Sequence, residues 1–413
     1  MGIEVSSETQ PGDILGDYKE TVLGMIPKYW NLTKLGDHVE DLIVPMRDKP
    51  KQFRGQIPWC RIDDINGKYL CTSKNGYFVD KDTISKMNLK VFPKGTVICS
   101  CSANLGICAI AENPLITNQT FIGIVPKNTF DTEFLYYLMI SYAKRLQLLS
   151  TGTTISYLPK DKFENFIVVK PPLNEQRKIA AILSAVDAAI EQTDAIITQT
   201  EQMKKGLMQY VFVTKAAQKK WEITNLSRLA QIEMGQSPPG STYNEIGDGM
   251  PLINGPTEFG QSCPKPIQWT TNPTKVCKKG DILFCVRGSS TGRLNSADRE
   301  YCIGRGVAAI RGKSNKGSTL FIRHYLMHEV PRIYKLAAGG GSTFPNITST
   351  LLNAYPCCSP SLQEQCKIAN IFLSIDQRLE CENQYRNNLC LIQRGLMRDL
   401  LTGRVRVKVD EHA

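Results

Sequence analysis

The sequence predicts an α+β protein: two mixed α/β domains in tandem, separated by two long helices that pair as an antiparallel coiled coil, the whole forming an internal repeat of pseudo-twofold character. The segment LNEQRKIAAILSAVDAAI at residues 173–190 returns as LQEQCKIANIFLSIDQRL at 362–379. Sliding the chain on itself by 189 residues matches 152–208 onto 341–397 without a gap. WNLTKL at 30–35 and WEITNL at 221–226 open the two copies alike. A period this long means duplication of a whole module, not a solenoid.

The repeat extends on both sides of the helix openings. Gly152, Thr153 and Thr154 fall on Gly341, Ser342 and Thr343, while Leu158, Phe163 and Phe166 fall on Ile347, Leu352 and Tyr355. The triplet GLM at 206–208 recurs at 395–397. The expected division is a first domain at 1–172, a first long helix at 173–213, a second domain at 214–361, a second long helix at 362–402 and a tail at 403–413. A chain of 413 residues splits into two or three domains rather than growing one core.

In the first domain GTVICSCS (95–102) and TFIGIVP (120–126) read as strands, the former after a turn glycine, and apolar residues three or four apart predict helix over 131–149. GDILFCV (280–286), GVAAIRG (306–312) and a helix over 320–336 fill the same roles in the second, so each domain is read as mixed with a mostly antiparallel sheet.

Along the first long helix Ile179, Leu183, Val186 and Ile190 keep a three-four spacing, and along the second Ile368, Phe372, Ile375 and Leu379 do the same. Each helix of roughly 35 to 40 residues spans about 55 Å at 1.5 Å per residue, more than one small domain covers. These eight residues are therefore assigned to pairing of the helices into a rod. Gly206 and Gly395, at equivalent places inside, require either a nearby helix end or a close backbone approach.

Apolar and charged residues at 42% and 22% suit a globular chain, and no apolar run reaches the length of a membrane span. The N-terminal segment has neither a basic stretch nor an apolar core of the kind a signal peptide carries, so a cytoplasmic location is expected. A formal charge of +11 suits a polyanion such as nucleic acid. Fourteen cysteines include no two C-x2-C pairs, and several lie in apolar runs; they read as reduced thiols acting as small hydrophobes, with no metal.

Enzyme motifs are missing. GKSNKGST (312–319) and RGSSTGR (287–293) lack the order and spacing of a phosphate loop. No Asn- or Asp-Pro-Pro-aromatic tetrad of an amino-methyltransferase is present. His324 and His328, four apart on a predicted helix, read as paired surface histidines because no Glu follows His324 as in a zinc protease.

This order of features resembles the specificity (DNA-recognition) subunit of type I restriction-modification systems. The resemblance rests on GMIPKYWNLTKL (24–35), KKWEITNLSRL (219–229), the helix openings PPLNEQRKIA (171–180) and SPSLQEQCKIA (359–369), and the pair GTTISYLPKDKF (152–163) and GSTFPNITSTLL (341–352). It covers residues 24–401 and implies a non-catalytic subunit without cofactors. Each target-recognition domain would read one half of a bipartite target in double-stranded DNA. The helices would dock two methyltransferase (modification) subunits, with ATP-dependent restriction subunits in the fuller assembly. A departure is Cys366, which stands where the first helix has Arg177, so the two rod faces differ chemically. The alternative is a stand-alone DNA-modifying enzyme with a divergent catalytic site.

Reading DNA takes cations at phosphates and forked or amide side chains at base edges. Lys51, Arg54 and Gln56 in RDKPKQFRGQ (47–56) are candidates in the first domain, as are Thr153, Thr154 and Tyr157 after Gly152. Candidates in the second are Arg287, Ser289 and Arg293 in CVRGSSTGR (285–293), with Ser342, Thr343 and Asn346 after a glycine run.

Overall fold

A computed structural model describes residues 17–102, 104–150, 158–260, 262–338 and 345–408. The chain forms two compact units, one of residues 1–192 with 386–413 and the other of residues 193–385. The long helices, Leu173–Gln209 and Leu362–Leu400, each contribute to both units.

The first unit is built on a five-stranded sheet in the order Val39–Ile43, Phe121–Pro126, Val97–Ser100, Cys108–Ala111, Tyr69–Leu70, antiparallel except at the last pair. Every residue of Val97–Ser100 is buried, because both faces of the sheet are covered. Val97 and Cys99 face a core shared with Phe134 and Leu138 of helix Thr132–Ser141, while Ile98 faces a smaller cluster with Phe92 and Phe121. The expected helix over 131–149 breaks at Tyr142 into Thr132–Ser141 and Ala143–Leu149.

The second unit repeats the plan in two sheets. One runs Ala230–Met234, Val307–Gly312, Ile282–Cys285, Leu294–Ser296, all antiparallel. The other has Met250–Ile253 at its centre, parallel to Tyr301–Ile303.

The opening motifs hold each module closed. Asn31–Lys34 pairs antiparallel with Ile167–Lys170, and Glu222–Asn225 pairs in the same way with Pro356–Ser359, so the strand that opens each module lies beside the strand that leads into its long helix. The Glu-Gln of the helix openings has a defined task. Gln176 is fully buried; its amide nitrogen donates to the carbonyls of Pro171 (2.9 Å) and Thr129 (3.2 Å), and its oxygen accepts from the Asp131 N–H (2.9 Å). Gln365 does the same with Pro360, Lys316 and Ser318. Glu175 accepts from Trp30 Nε1 at 2.9 Å and from the Tyr29 hydroxyl, which fixes the first repeat's tryptophan. Its counterpart Glu364 instead pairs with Lys215 at 3.1 Å, and Trp221 Nε1 is buried without a hydrogen-bond partner among the described residues.

Each unit's core takes the start of one long helix and the end of the other. Ile179, Ala180 and Leu183 join Leu400 and Leu401 in the first unit; Ile368, Ala369 and Phe372 join Met208, Val211 and Phe212 in the second. Beyond Gln209 the first helix widens into a π-helical turn, Tyr210–Lys215, which lets Phe212 stack on Phe372 (5.9 Å between centroids). Polar contacts also cross between the helices at equivalent positions. Asp187 accepts from Gln393 and from the Tyr137 hydroxyl in the first unit, and Asp376 pairs with Lys204 and, at 3.3 Å, with Arg323 in the second.

Several expectations need adjusting. Of the eight residues assigned to helix pairing, Ile179, Leu183, Ile368 and Phe372 are buried in the domain cores, whereas Val186, Ile190, Ile375 and Leu379 are only half-buried. His324 is not a surface residue. It is fully buried against Phe372, with neither ring nitrogen hydrogen-bonded among the described residues, because its helix, Thr319–Ala338, carries that face inward to the long helices. Gly206 and Gly395 meet nothing within 4 Å of an added Cβ, so no close backbone approach requires either glycine; Gly395 lies near the helix end at Leu400, whereas the helix through Gly206 runs on into the π-helical turn after Gln209. Nine cysteines are buried, and burial pushes the Cys60 thiol up to about 12; Cys71, Cys366 and Cys381 are exposed. Among the described residues no helix is long and apolar enough to cross a membrane.

Candidate nucleic-acid interface

In the second unit, strand Ile282–Cys285 ends in a turn at 287–292 that glycines make possible. Gly288 (φ +83°) donates its N–H to the Pro345 carbonyl, and Gly292 (φ +91°) would press a Cβ to 2.9 Å from Val330. The Val286 carbonyl accepts from Ile347 at 2.8 Å, which sets Arg287 opposite Asn346 in an isolated bridge. Two residues named from sequence are thereby brought together.

The segment Gly304-Arg305-Gly306 crosses beside this turn. A Cβ on Gly304 would lie 2.2 Å from Asn254 Oδ1, and one on Gly306 would lie 2.4 Å from the Asn254 carbonyl, so only glycines fit on either side of Arg305. The Arg305 N–H itself donates to Ser237 Oγ at 3.3 Å. Between these segments lies an open cleft of about 630 Å³, lined by Ser237, Tyr243, Asn254, Arg287 and Arg305 among others, with no acidic residue in its wall. Both arginines are exposed, and neither guanidinium has a hydrogen-bond or ion-pair partner among the described residues. Other arginines of the unit are engaged: Arg311 with buried Asp281 through two 2.6 Å bonds, Arg299 with Tyr301, and Arg293 with the carbonyls of Pro256 (3.3 Å) and Phe259 (3.4 Å). Arg293, named from sequence as a reader, is exposed like Arg287 and Arg305, but its guanidinium is held by these two carbonyls. Ser289 is exposed on the turn, while Ser342 and Thr343 lie outside the described residues.

Strand register identifies the matching positions in the first unit. Ser100 pairs with Phe121 as Cys285 pairs with Val307, and the Cys101 N–H donates to Thr120 as the Val286 N–H donates to Gly306. Ser102 therefore corresponds to Arg287, and Gln119 to Arg305. The parallel pairs give the same result: Cys60 lies beside Thr117 as Ile253 lies beside Ile303, which matches Gln119 again to Arg305 and Arg61 to Asn254. Gln119 is exposed, and the Arg61 guanidinium lies over Trp59 (5.1 Å) and Tyr77 (5.3 Å).

Lys51, Arg54 and Gln56 are exposed on a loop held by Gly55 (φ +128°), which packs against the backbone of Val79 and Asp80. Arg54 is tied to Asp80 at 3.0 Å, leaving Lys51 and Gln56 as the freer groups. Thr153, Thr154 and Tyr157 lie outside the described residues. Sequence reading missed Arg305, Asn254, Arg61 and Gln119. The one visible signal was an arginine between two glycines ahead of a strand.

Two tandem mixed α/β domains, each closed by a long helix that also enters the other domain's core, define a two-module protein with a basic cleft on its second domain. The model of the type I restriction modification DNA specificity domain matches residues 27–202 and again 218–390, and the chain belongs to this family. It is 30% identical to the MjaX type I restriction enzyme specificity subunit of Methanocaldococcus jannaschii, over 95% of this chain and 97% of that one. The MjaVIII specificity subunit of the same organism is 24% identical over 95% and 96%. The crystal structure of a type I system S subunit from M. genitalium shares the fold, with a TM-score of 0.61 at 17% identity, over 90% of this chain and 96% of that one.

Proposed function

We propose that this chain is the DNA-reading, non-catalytic component of a type I restriction-modification complex. Each domain reads one half of a bipartite target, and the paired helices carry two methyltransferase subunits, with ATP-dependent restriction subunits joining the fuller assembly. The supporting observation is the second domain's cleft, where two unpaired guanidiniums face solvent in a wall free of carboxylates. Loops around such a cleft suit base-edge and phosphate contacts more than chemistry, since among the described residues no nucleophile and base are brought together in its wall.

The test is co-expression with the methyltransferase subunits of its own system, followed by methylome sequencing. A bipartite methylated motif is expected, and replacing residues 30–170 with the equivalent domain of another specificity subunit should change one half only. Loss of both halves would mean a single composite surface. Methyl transfer from S-adenosylmethionine to DNA by the purified chain alone would overturn the non-catalytic assignment in favour of a stand-alone modifying enzyme.

A further inference from the structure

We propose that the position held by Arg305 in the second domain and by Gln119 in the first is a base-reading position, selecting guanine in one half-site and adenine in the other. This rests on the reading of the chain as a DNA-recognition subunit and goes beyond it by naming the reading residue and its base in each domain.

Three features single the position out. Its backbone is held on both sides: Gly304 donates to the Ile253 carbonyl at 2.9 Å, Gly306 accepts from Val286 at 2.9 Å, and Arg305 donates its own N–H to Ser237. Its side chain, by contrast, is exposed and has no partner among the described residues. A fork that is rigid at its base and unpaired at its tip reads an edge with little loss of freedom, whereas a phosphate contact needs no such fixing. The same site occurs in both domains by two independent strand registers, yet the residue type differs. Arginine presents two parallel N–H donors to guanine O6 and N7, and glutamine presents one donor and one acceptor to adenine N7 and N6. A duplicated scaffold whose residues differ at this exposed, anchored position, as they do at Ser102 against Arg287 and Arg61 against Asn254, fits two half-sites that differ in sequence. Asn254 and Arg287, in the wall of the same cleft, place an amide and a second cation beside Arg305.

The experiment uses the complete complex with its methyltransferase subunits, first to obtain the wild-type motif and then to measure competition by duplexes altered at single base pairs. Arg305→Ala should lose about 5- to 150-fold of preference at one G·C pair in one half-site. Arg305→Gln should move that preference to A·T, and Gln119→Arg should move one A·T preference in the other half-site to G·C. Arg305→Lys keeps the charge without the fork; it should relax the same pair while the salt dependence of binding stays as in the wild type. Because these residues are exposed, thermal unfolding of all four variants should match the wild type; a variant that unfolds early leaves the decision to the others. The proposal is overturned if the motif is unchanged in every variant. It is overturned equally if Arg305→Ala weakens all duplexes alike with a salt slope smaller by about one, the mark of a phosphate contact. A wild-type complex that methylates no bipartite motif refutes the functional reading itself, a separate result.

Discussion

Replacing Gln176 by Leu removes the clamp at the first helix opening while keeping most of the side-chain volume. Three groups lose their partner: the Asp131 N–H and the carbonyls of Pro171 and Thr129. Thr129 is exposed and its carbonyl can turn to water, so two stranded groups dominate. At about 1–3 kcal/mol for each buried group left unsatisfied, the loss should be about 2–6 kcal/mol. Asp131 also caps helix Thr132–Ser141 by accepting from the Phe134 N–H, so the damage should spread into that helix. Native-state hydrogen exchange reads the effect unit by unit. Amides of strand Val97–Ser100 should lose protection by that amount, while those of Ile282–Cys285 in the other unit stay within about 0.5 kcal/mol, as expected for separate networks. Gln176→Glu sharpens the test. A carboxylate oxygen would then face the two carbonyls that now accept, which favours the protonated form. The folded-state pKa of that new carboxyl would rise, so this variant should regain stability as pH falls toward the carboxylate range, opposite to ordinary acid unfolding. A loss below about 1 kcal/mol in Gln176→Leu, or equal losses in both units, would refute the clamp.

Burial lowers the His324 pKa from 6.5 to about 4, with Asp376 opposing the shift and Arg323 and Lys204 adding to it. The folded state prefers the neutral ring, so its contribution is fully present above about pH 6.5 and is lost as pH falls from there toward 4, by up to about 3 kcal/mol. Urea unfolding across this window should therefore be less pH-dependent in His324→Gln than in the wild type, and identical slopes would count against it. Val186→Asp and Ile375→Asp place a charge at half-buried sites on the long helices and should each cost about 1–3 kcal/mol, read as a lower unfolding temperature and weaker co-purification of methyltransferase subunits. Arg293→Ala should cost about 0.5–1.5 kcal/mol by releasing the Pro256 and Phe259 carbonyls yet leave base preference untouched in duplex competition, in contrast to Arg305→Ala.

The sequence by itself determined the duplication, the two long helices and the strands that flank them, because periodic apolar residues and repeated motifs are local signals that survive without coordinates. It also exposed the Glu-Gln of the helix openings, although not their purpose: Gln176 and Gln365 act on carbonyls 5 and 47–49 residues away, a relation that only folding creates. Arg287 and Asn346 could each be named from their turns, but their pairing depends on Ile347 lying against Val286. Arg293 and Arg305 look alike in a string of letters. What separates them is whether carbonyls stand within reach of the guanidinium, and that is decided by how the loop after Ile253 packs. His324 was misplaced for the same reason, since periodicity says that a helix has an inward face but not which neighbouring helix will cover it. The match of Gln119 to Arg305 lies furthest from the sequence: TFIGIVP and GVAAIRG read only as strands of like role, and the hydrogen-bond register of those strands sets the two residues at one place.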